Sequence, residues 1–379
     1  MSNAEQKVVV RGLEGVCAAE TRVSYVDGVN GELFYSGYNI HDLAGKVSYE
    51  EVVYLLWHDR LPNRNEYWEF KSRLVAEMRL PSQVISAIEL TPPSSHPMSV
   101  LRTAVSMLGM FDPDAQDNCD AANARKAVRL VAAIPTIVAD LHRIHTRKPV
   151  LSPDPGLGVA ANFLYMLRGT VPDEEEAKAM DLLMVLHADH GLNASTFAAR
   201  VAASTETDMH SALTAAIGTL KGHLHGGANQ KVMEMLVRID GVDMVQDYIQ
   251  GMLDVGHRIM GFGHRVYKTE DPRATHLRRV SESLCKKAGH EHLYQISHRI
   301  EQVVKEAKGI YPNVDFYSAT VQHAMGIPKE FFTAVFAASR TSGWIAHILE
   351  QYHDNRLIRP TSKYIGKYGR EFAPLDRRQ

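Results

Sequence analysis

A chain of 379 residues can bury a large core and is long enough for two domains. Its 42 Lys and Arg stand against 44 Asp and Glu, a formal net charge of -2 with no long basic run, which argues against nucleic acid as a partner. Three scattered cysteines, Cys17, Cys119 and Cys285, offer neither a disulfide framework nor a cysteine-based zinc site and fit a reducing, cytoplasmic setting.

The opening MSNAEQKVVV lacks the apolar core of a signal peptide, so no export is expected. Residues Val23–Tyr38 hold Asp27-Gly28 and Asn30-Gly31 between β-branched and aromatic residues, which predicts a hairpin. Strand signals then nearly vanish. Ser48 with Glu51 forms a capping box ahead of Tyr49, Val52, Val53, Leu56 and Trp57 at helical spacing, and Asn63 with Glu66 starts a second helix in the same way. Pro97 opens a helix through Leu108, residues 112–123 read as a loop, and 126–144 reads as a longer helix interrupted at Pro135. Residues 145–156 form another loop, and a helix is expected from Asp173 to His190 with acids in its first turn. A helix is expected over 329–351; within it residues 331–349 are the most apolar long stretch, but they carry Arg340 and His347, so no membrane span is expected. These features predict an all-α fold with a small N-terminal β-hairpin.

Several polar groups sit where apolar stripes or glycines would place them near a ligand. His187 continues an apolar face and reads as core, while His190 and Asn193 are either core hydrogen-bonders or ligands to something polar. Three glycines flank His225 in the run 222–227. The stretch Gly261-Phe262-Gly263-His264-Arg265-Val266-Tyr267-Lys268-Thr269-Glu270-Asp271-Pro272-Arg273 places a histidine after two glycines and an arginine behind a proline, a plausible grip on an anion. Asp315, among Val, Phe and Tyr at an expected helix start, is either an N-cap or a general base. Arg340 has Phe336, Ala337, Gly343 and Trp344 at i±3 and i±4, so its anion must come from another element or from a ligand. Arg359, before Pro360, reads on its own as solvated surface charge. Together these residues suit chemistry on a small polyanion, with a carboxylate base and neutral imidazoles meeting a developing oxyanion.

Over essentially its whole length the sequence resembles the citrate synthase family. The resemblance rests on residues 261–273, on His187-Ala188-Asp189-His190 with Asn193-Ala194-Ser195-Thr196, and on Leu224-His225-Gly226-Gly227-Ala228-Asn229. Pro312-Asn313-Val314-Asp315-Phe316-Tyr317-Ser318 and Asn355-Arg356-Leu357-Ile358-Arg359-Pro360 complete it, in the family's order. The short length and hairpin-first start look like the smaller, dimeric bacterial or archaeal type. The resemblance implies a large domain (1–225 and 326–379) and a small domain (226–325) closing over oxaloacetate and acetyl-coenzyme A, at the entry to the tricarboxylic acid cycle. It implies that Asp315 takes a proton from the acetyl methyl, His225 hydrogen-bonds the enol oxygen and His264 polarises the oxaloacetate carbonyl. His190, Asn193, Arg273, Arg340 and a partner subunit's Arg359 would hold substrate. Arg265, Lys268 and Lys308 would meet coenzyme A phosphates. No tightly bound cofactor and no metal are expected, only the coenzyme A thioester as co-substrate.

Two positions depart from the family pattern. Gly191 stands where a glutamate is usual and would loosen the turn presenting His190 and Asn193. His223 stands where a proline is usual and would alter the hydrogen bonding of His225. The nearest competing activity is a 2-methylcitrate synthase using propionyl-coenzyme A, since one methylene shifts pocket binding by only about 1–3 kcal/mol. Two further classes compete: a helical metal-dependent hydrolase using His187/His190 and His223/His225, and a scaffold whose histidines and arginines are satisfied core groups.

Overall fold

The structure, a computed structural model, describes residues 9–378. Most of the stretch that bears on an export signal lies outside the described residues.

The hairpin signal gives an antiparallel sheet of β1 (Ser24–Asp27), β2 (Glu32–Tyr35) and β3 (Tyr38–Asn39), in that spatial order. Asp27 turns the chain by accepting the N–H groups of Val29 and Asn30, both at 2.9 Å. The third strand goes beyond the expected hairpin. It forms because Ser36 and Gly37 both take positive φ and fold the chain back on β2.

Helices make up most of the remaining chain. They begin with α1 (Ile40–Leu43), α2 (Tyr49–His58), α3 (Arg64–Ala76), α4 (Ser82–Glu89), α5 (Pro97–Leu108) and the long α6 (Asp120–His145). Next come α7 (Val159–Arg168), α8 (Glu174–His187), α9 (Ala194–Ala203) and α10 (Met209–Leu220). The series ends with α11 (Ala228–Leu236), α12 (Val245–Asp254), α13 (Pro272–Lys287), α14 (Glu291–Lys308), α15 (Val314–Ala324) and α16 (Phe332–His353). The all-α expectation holds. Both predicted capping boxes form, and Asp173 with Glu176 adds a third at the start of α8.

Three boundaries differ from the sequence expectation. The stretch 112–123 is only partly loop, because α6 begins at Asp120. Pro135 does not interrupt α6, although it removes one backbone donor. The residues around it, from Ala127 to Leu141, are buried except for Arg129, and packing against α3, α4, α5, α7 and α16 offsets the lost bond. The helix expected to reach His190 stops at His187, and His190 lies in a turn.

Every residue of α16 from Phe332 to Ile348 is buried. Such a helix must be surrounded, and α16 packs against α2, α5, α6, α8, α9, α10 and α11. In the second half of the chain, α13 packs on α14 and α15, α11 on α15, and α12 on α14. This group meets the rest where α13 and α15 reach α8, α13 reaches α1, and α11 reaches α16. Among the described residues no helix is long and apolar enough to cross a membrane.

Candidate active site

The turn between α8 and α9 is clamped by α16. The Arg340 Nε donates to the His187 carbonyl at 2.6 Å, and the Gly343 N–H to the Ala188 carbonyl at 3.1 Å. Gly191 does not loosen this turn. It sits at φ +58°, where other residues are strained, and its N–H donates to Ser24 Oγ (2.9 Å) and Asp189 Oδ2 (3.0 Å). His190 therefore projects from an anchored turn, its Nε2 3.1 Å from the Tyr267 hydroxyl. Asn193 caps α9: its Oδ1 accepts from the N–H groups of Ser195 and Thr196, each at 3.1 Å, and from Ser195 Oγ at 2.7 Å. Its amide is thus engaged in the cap, with Nδ2 donating to Thr196 Oγ1 at 2.9 Å, and it meets His225 through Ser195.

Ser195 in turn holds His225. The Ser195 N–H points at His225 Nε2 (3.3 Å), and its Oγ lies 2.8 Å from the same nitrogen. The backbone N–H, shared with Asn193 Oδ1, can only donate; Nε2 therefore accepts, the single Ser195 hydroxyl proton lies between Nε2 and Asn193 Oδ1, and the ring proton belongs on Nδ1. Trp344 Nε1 donates to Ser195 Oγ at 3.1 Å and fixes the serine from the α16 side. His223 plays no part in this arrangement: it is exposed, and the ring nitrogen of His225 is bonded to Ser195 instead.

Residues 261–273 are stitched to the start of α15. The Gly263 N–H donates to Tyr311 O (3.0 Å), the Asn313 N–H to Gly261 O (2.8 Å), and Asn313 Nδ2 to Gly263 O (2.9 Å). Gly261 has φ +80°, and a Cβ there would lie 2.8–2.9 Å from Val232 and Phe316, so only glycine fits. His264 Nδ1 accepts the N–H groups of Val266 (3.0 Å) and Tyr267 (3.1 Å), which leaves its proton on Nε2. Arg273 is not a free fork. It pairs with Asp271 through Nε–Oδ1 (2.9 Å) and Nη2–Oδ2 (2.8 Å), both side chains buried. Asp271 also caps α13 and receives the Val314 N–H at 3.1 Å, joining α13 to α15. Asp315 is not the N-cap of α15, since Asn313 is, with the Asp315 N–H donating to it at 3.0 Å. The Asp315 carboxylate has no hydrogen-bond partner among the described residues, which frees it for a ligand.

Two guanidiniums organise the charge. Arg340 is buried, stands over the Phe336 ring at 4.7 Å and has no ion pair among the described residues; burial pushes it down to about 10. Burial lowers His225 to about 4, with help from Arg340, and lowers His264 to about 4, with help from Arg273. Burial, Arg273, His264 and Arg340 take His190 well below the usual range. All three rings are therefore neutral at pH 7. Burial raises the Asp315 carboxyl to about 6, against the pull of Arg273 and Arg340.

Other predicted residues stand apart. Arg265 and Lys268 are exposed at the edge of this turn, Arg265 only 3.9 Å from Glu14, and Lys308 is exposed at the end of α14. Arg359 is exposed beyond α16 and joins none of these contacts. His187, His190, His223 and His225 do not converge, and among the described residues no group of three or more His, Cys, Asp or Glu is placed to hold a metal. Sequence reasoning does not find Ser195, Tyr267 and Asp271 as partners of the predicted groups. All three lie inside the quoted motifs, and the Asp271-Pro272 N-cap signal with an arginine at i+2 is the one clue available there.

A model of the citrate synthase C-terminal domain matches residues 12–361. Citrate synthase of Haloferax volcanii is 49% identical over 373 residues, covering 97% of this chain and 98% of that one. A 2-methylcitrate synthase of Shewanella oneidensis is 39% identical and covers 100% of both. Among solved structures, the ternary complex of Thermoplasma acidophilum citrate synthase with carboxymethyl coenzyme A and oxaloacetate superposes with a TM-score of 0.93, at 34% identity over 98% of this chain and 100% of that one. Clamped turn, tautomer-fixed imidazoles and sequence likeness along the whole chain agree: it belongs to the citrate synthase family.

Proposed function

We propose that this chain condenses acetyl-coenzyme A with oxaloacetate and hydrolyses the citryl thioester to citrate and coenzyme A. The observation that carries the residue roles is the fixing of two tautomers. His225 and His264 each spend one ring nitrogen on backbone N–H donors, so each keeps one N–H to offer a substrate oxygen, and the Asp315 carboxylate is left unbonded among the described residues.

In this reading Asp315 removes a proton from the acetyl methyl. A thioester methyl is a far weaker acid than a carboxyl group, so the transfer proceeds only if the enol oxygen is stabilised as it forms, and His225 Nδ1–H supplies that hydrogen bond. His264 Nε2–H polarises the oxaloacetate carbonyl for attack by the enol carbon. A neutral imidazole suits both steps, because a charged ring would lose its proton to the developing oxyanion. Arg340, Arg273 through its remaining guanidinium nitrogen, and His190 receive the oxaloacetate carboxylates.

The proposal extends to the assembly. Residues 226–325 form a small domain that closes on the rest and excludes water until the citryl thioester exists. The enzyme is a homodimer in which Arg359, exposed and outside its own site, reaches the partner's. Arg265, Lys268 and Lys308 bind coenzyme A phosphates. No tightly bound cofactor takes part, and three unpaired cysteines fit a cytoplasmic location.

Thiol release with acetyl- or propionyl-coenzyme A, each with and without oxaloacetate, tests the activity. Oxaloacetate-dependent release favouring the acetyl thioester is expected. A propionyl preference would move the chain to 2-methylcitrate synthesis, and no oxaloacetate dependence would overturn the reading.

A further inference from the structure

In the sequence His347 serves only to argue against a membrane span, and the proposed chemistry does not need it. Yet it lies fully buried on α16, seven residues after Arg340, so two helical turns bring both side chains to the same face. Arg340, Gly343 and His347 contact three successive residues before His190: Arg340 bonds the His187 carbonyl, Gly343 the Ala188 carbonyl, and His347 the Asp189 side chain.

Asp189 is buried beside Arg340 and held on several sides. Ser24 Oγ donates to its Oδ2, the Gly191 N–H donates to the same oxygen at 3.0 Å, and the Tyr35 hydroxyl donates to its carbonyl at 2.9 Å. His347 Nε2 lies 3.4 Å from both carboxylate oxygens. On the other side of the ring, Arg200 Nη1 donates to His347 Nδ1 at 3.3 Å and pairs with Glu350 at 2.5 Å. Arginine can only donate, so Nδ1 must accept and the ring proton faces Asp189. The run Glu350–Arg200–His347–Asp189 thus alternates acceptor and donor along its length and ends on the turn that carries His190. It also leaves a buried carboxylate near Arg340 without an ion pair between them, so the guanidinium keeps donors for a ligand.

We propose that His347 is a positioning residue for oxaloacetate: by orienting Asp189 it holds the 187–191 turn, and with it His190, in register with Arg340. This rests on the proposed reading of the site as the oxaloacetate pocket. The residue touches no substrate and acts through the turn.

Steady-state thiol release separates the possibilities. His347→Leu removes both hydrogen bonds and should raise KM for oxaloacetate by about 10- to 100-fold, the scale of a misplaced binding group, while KM for acetyl-coenzyme A moves less than about 3-fold. His347→Gln can present an N–H to Asp189 and an oxygen to Arg200, and should recover most of that loss. Ser24→Ala, a milder change at the edge of the network, should shift the same KM in the same direction and covers the case in which the leucine variant does not fold. An unchanged oxaloacetate KM in both His347→Leu and Ser24→Ala, an equal rise in both substrates' KM, or a glutamine variant no better than leucine would overturn the proposal. An inactive wild-type chain would instead overturn the reading of the site itself.

Discussion

Asp271 grips Arg273 from two residues away, with Nε–Oδ1 at 2.9 Å and Nη2–Oδ2 at 2.8 Å, while the same carboxylate caps α13 and takes the Val314 N–H from α15. Both side chains are buried, so the pair is a fixed part of the site. Burial alone would lower the Arg273 guanidinium, but Asp271 outweighs it and keeps the group charged, as the proposed contact with a substrate carboxylate requires. Asp271→Asn keeps an oxygen for the cap and leaves the guanidinium without its counter-charge. Removing one partner of a buried pair costs about 3–5 kcal/mol, so urea unfolding should show a loss of that order. A loss no larger than that of an ordinary cap substitution, about 1 kcal/mol, would mean that water already screens Arg273.

In the proposed chemistry the acid limb of the pH profile belongs to Asp315. As a base it works only when ionised, and burial raises it to about 6. The two imidazoles assigned to the oxygens sit at about 4 and stay neutral well below that pH. kcat should therefore level off near neutrality, reach half its plateau at about pH 6 and fall with a single proton step below that. Asp315→Asn should lower kcat by about 100- to 10,000-fold and leave KM for oxaloacetate nearly unchanged, because no contact to oxaloacetate is assigned to it. A profile with its limb near 4 would transfer the role to another group.

Gly343 exists to let α16 approach the 187–191 turn. A Cβ on it would fall inside contact distance of the Ala188 carbonyl oxygen and of the Asp189 side chain, and backbone cannot swing aside as a flexible side chain can. Gly343→Ala should cost about 1–3 kcal/mol in stability, although alanine is the better helix former, and should weaken oxaloacetate binding by displacing His190. A stabilised variant with unchanged KM would show that the turn yields at no cost.

How much can be read from the sequence depends on how far apart the interacting groups are. Ser48 with Glu51 and Asn63 with Glu66 are three residues apart, and those boxes form as expected. The observation that Arg340 has no carboxylate on its own helical face also holds, for its Nε finds a carbonyl, not an acid. The Asp271–Arg273 pair is just as local, but an arginine that suits a ligand's carboxylate distracts from its internal one. Gly191 looks like a defect in the sequence, yet its positive φ makes it the residue that the turn requires. The tautomers of His225 and His264 are out of reach in different ways. Ser195 lies 30 residues before His225, and only the fold brings them together, whereas the His264 bonds to Val266 and Tyr267 depend on loop dihedrals that no periodicity encodes. His347 and Asp189, 158 residues apart, leave no local trace at all.

Away from the site, Asp181 on α8 makes a prediction about stability and pH. Its Oδ1 accepts the Tyr49 N–H at 2.9 Å, and the buried Glu50 is close by. Burial, then the charge of Glu50, push its carboxyl up to about 8, against an ordinary value of 3.8. The folded state thus binds a proton that the unfolded chain has lost over that whole interval. Its contribution is fully present below about pH 4 and is lost as pH rises towards 8. Asp181→Asn keeps the oxygen for Tyr49 and has no proton to lose. Relative to the parent chain it should be close to neutral at pH 4–5 and more stable by about 1–3 kcal/mol at pH 8 to 9. Paired thermal melts at the two pH values measure this directly, and a difference between variant and parent that does not change with pH would rule out a proton held at Asp181.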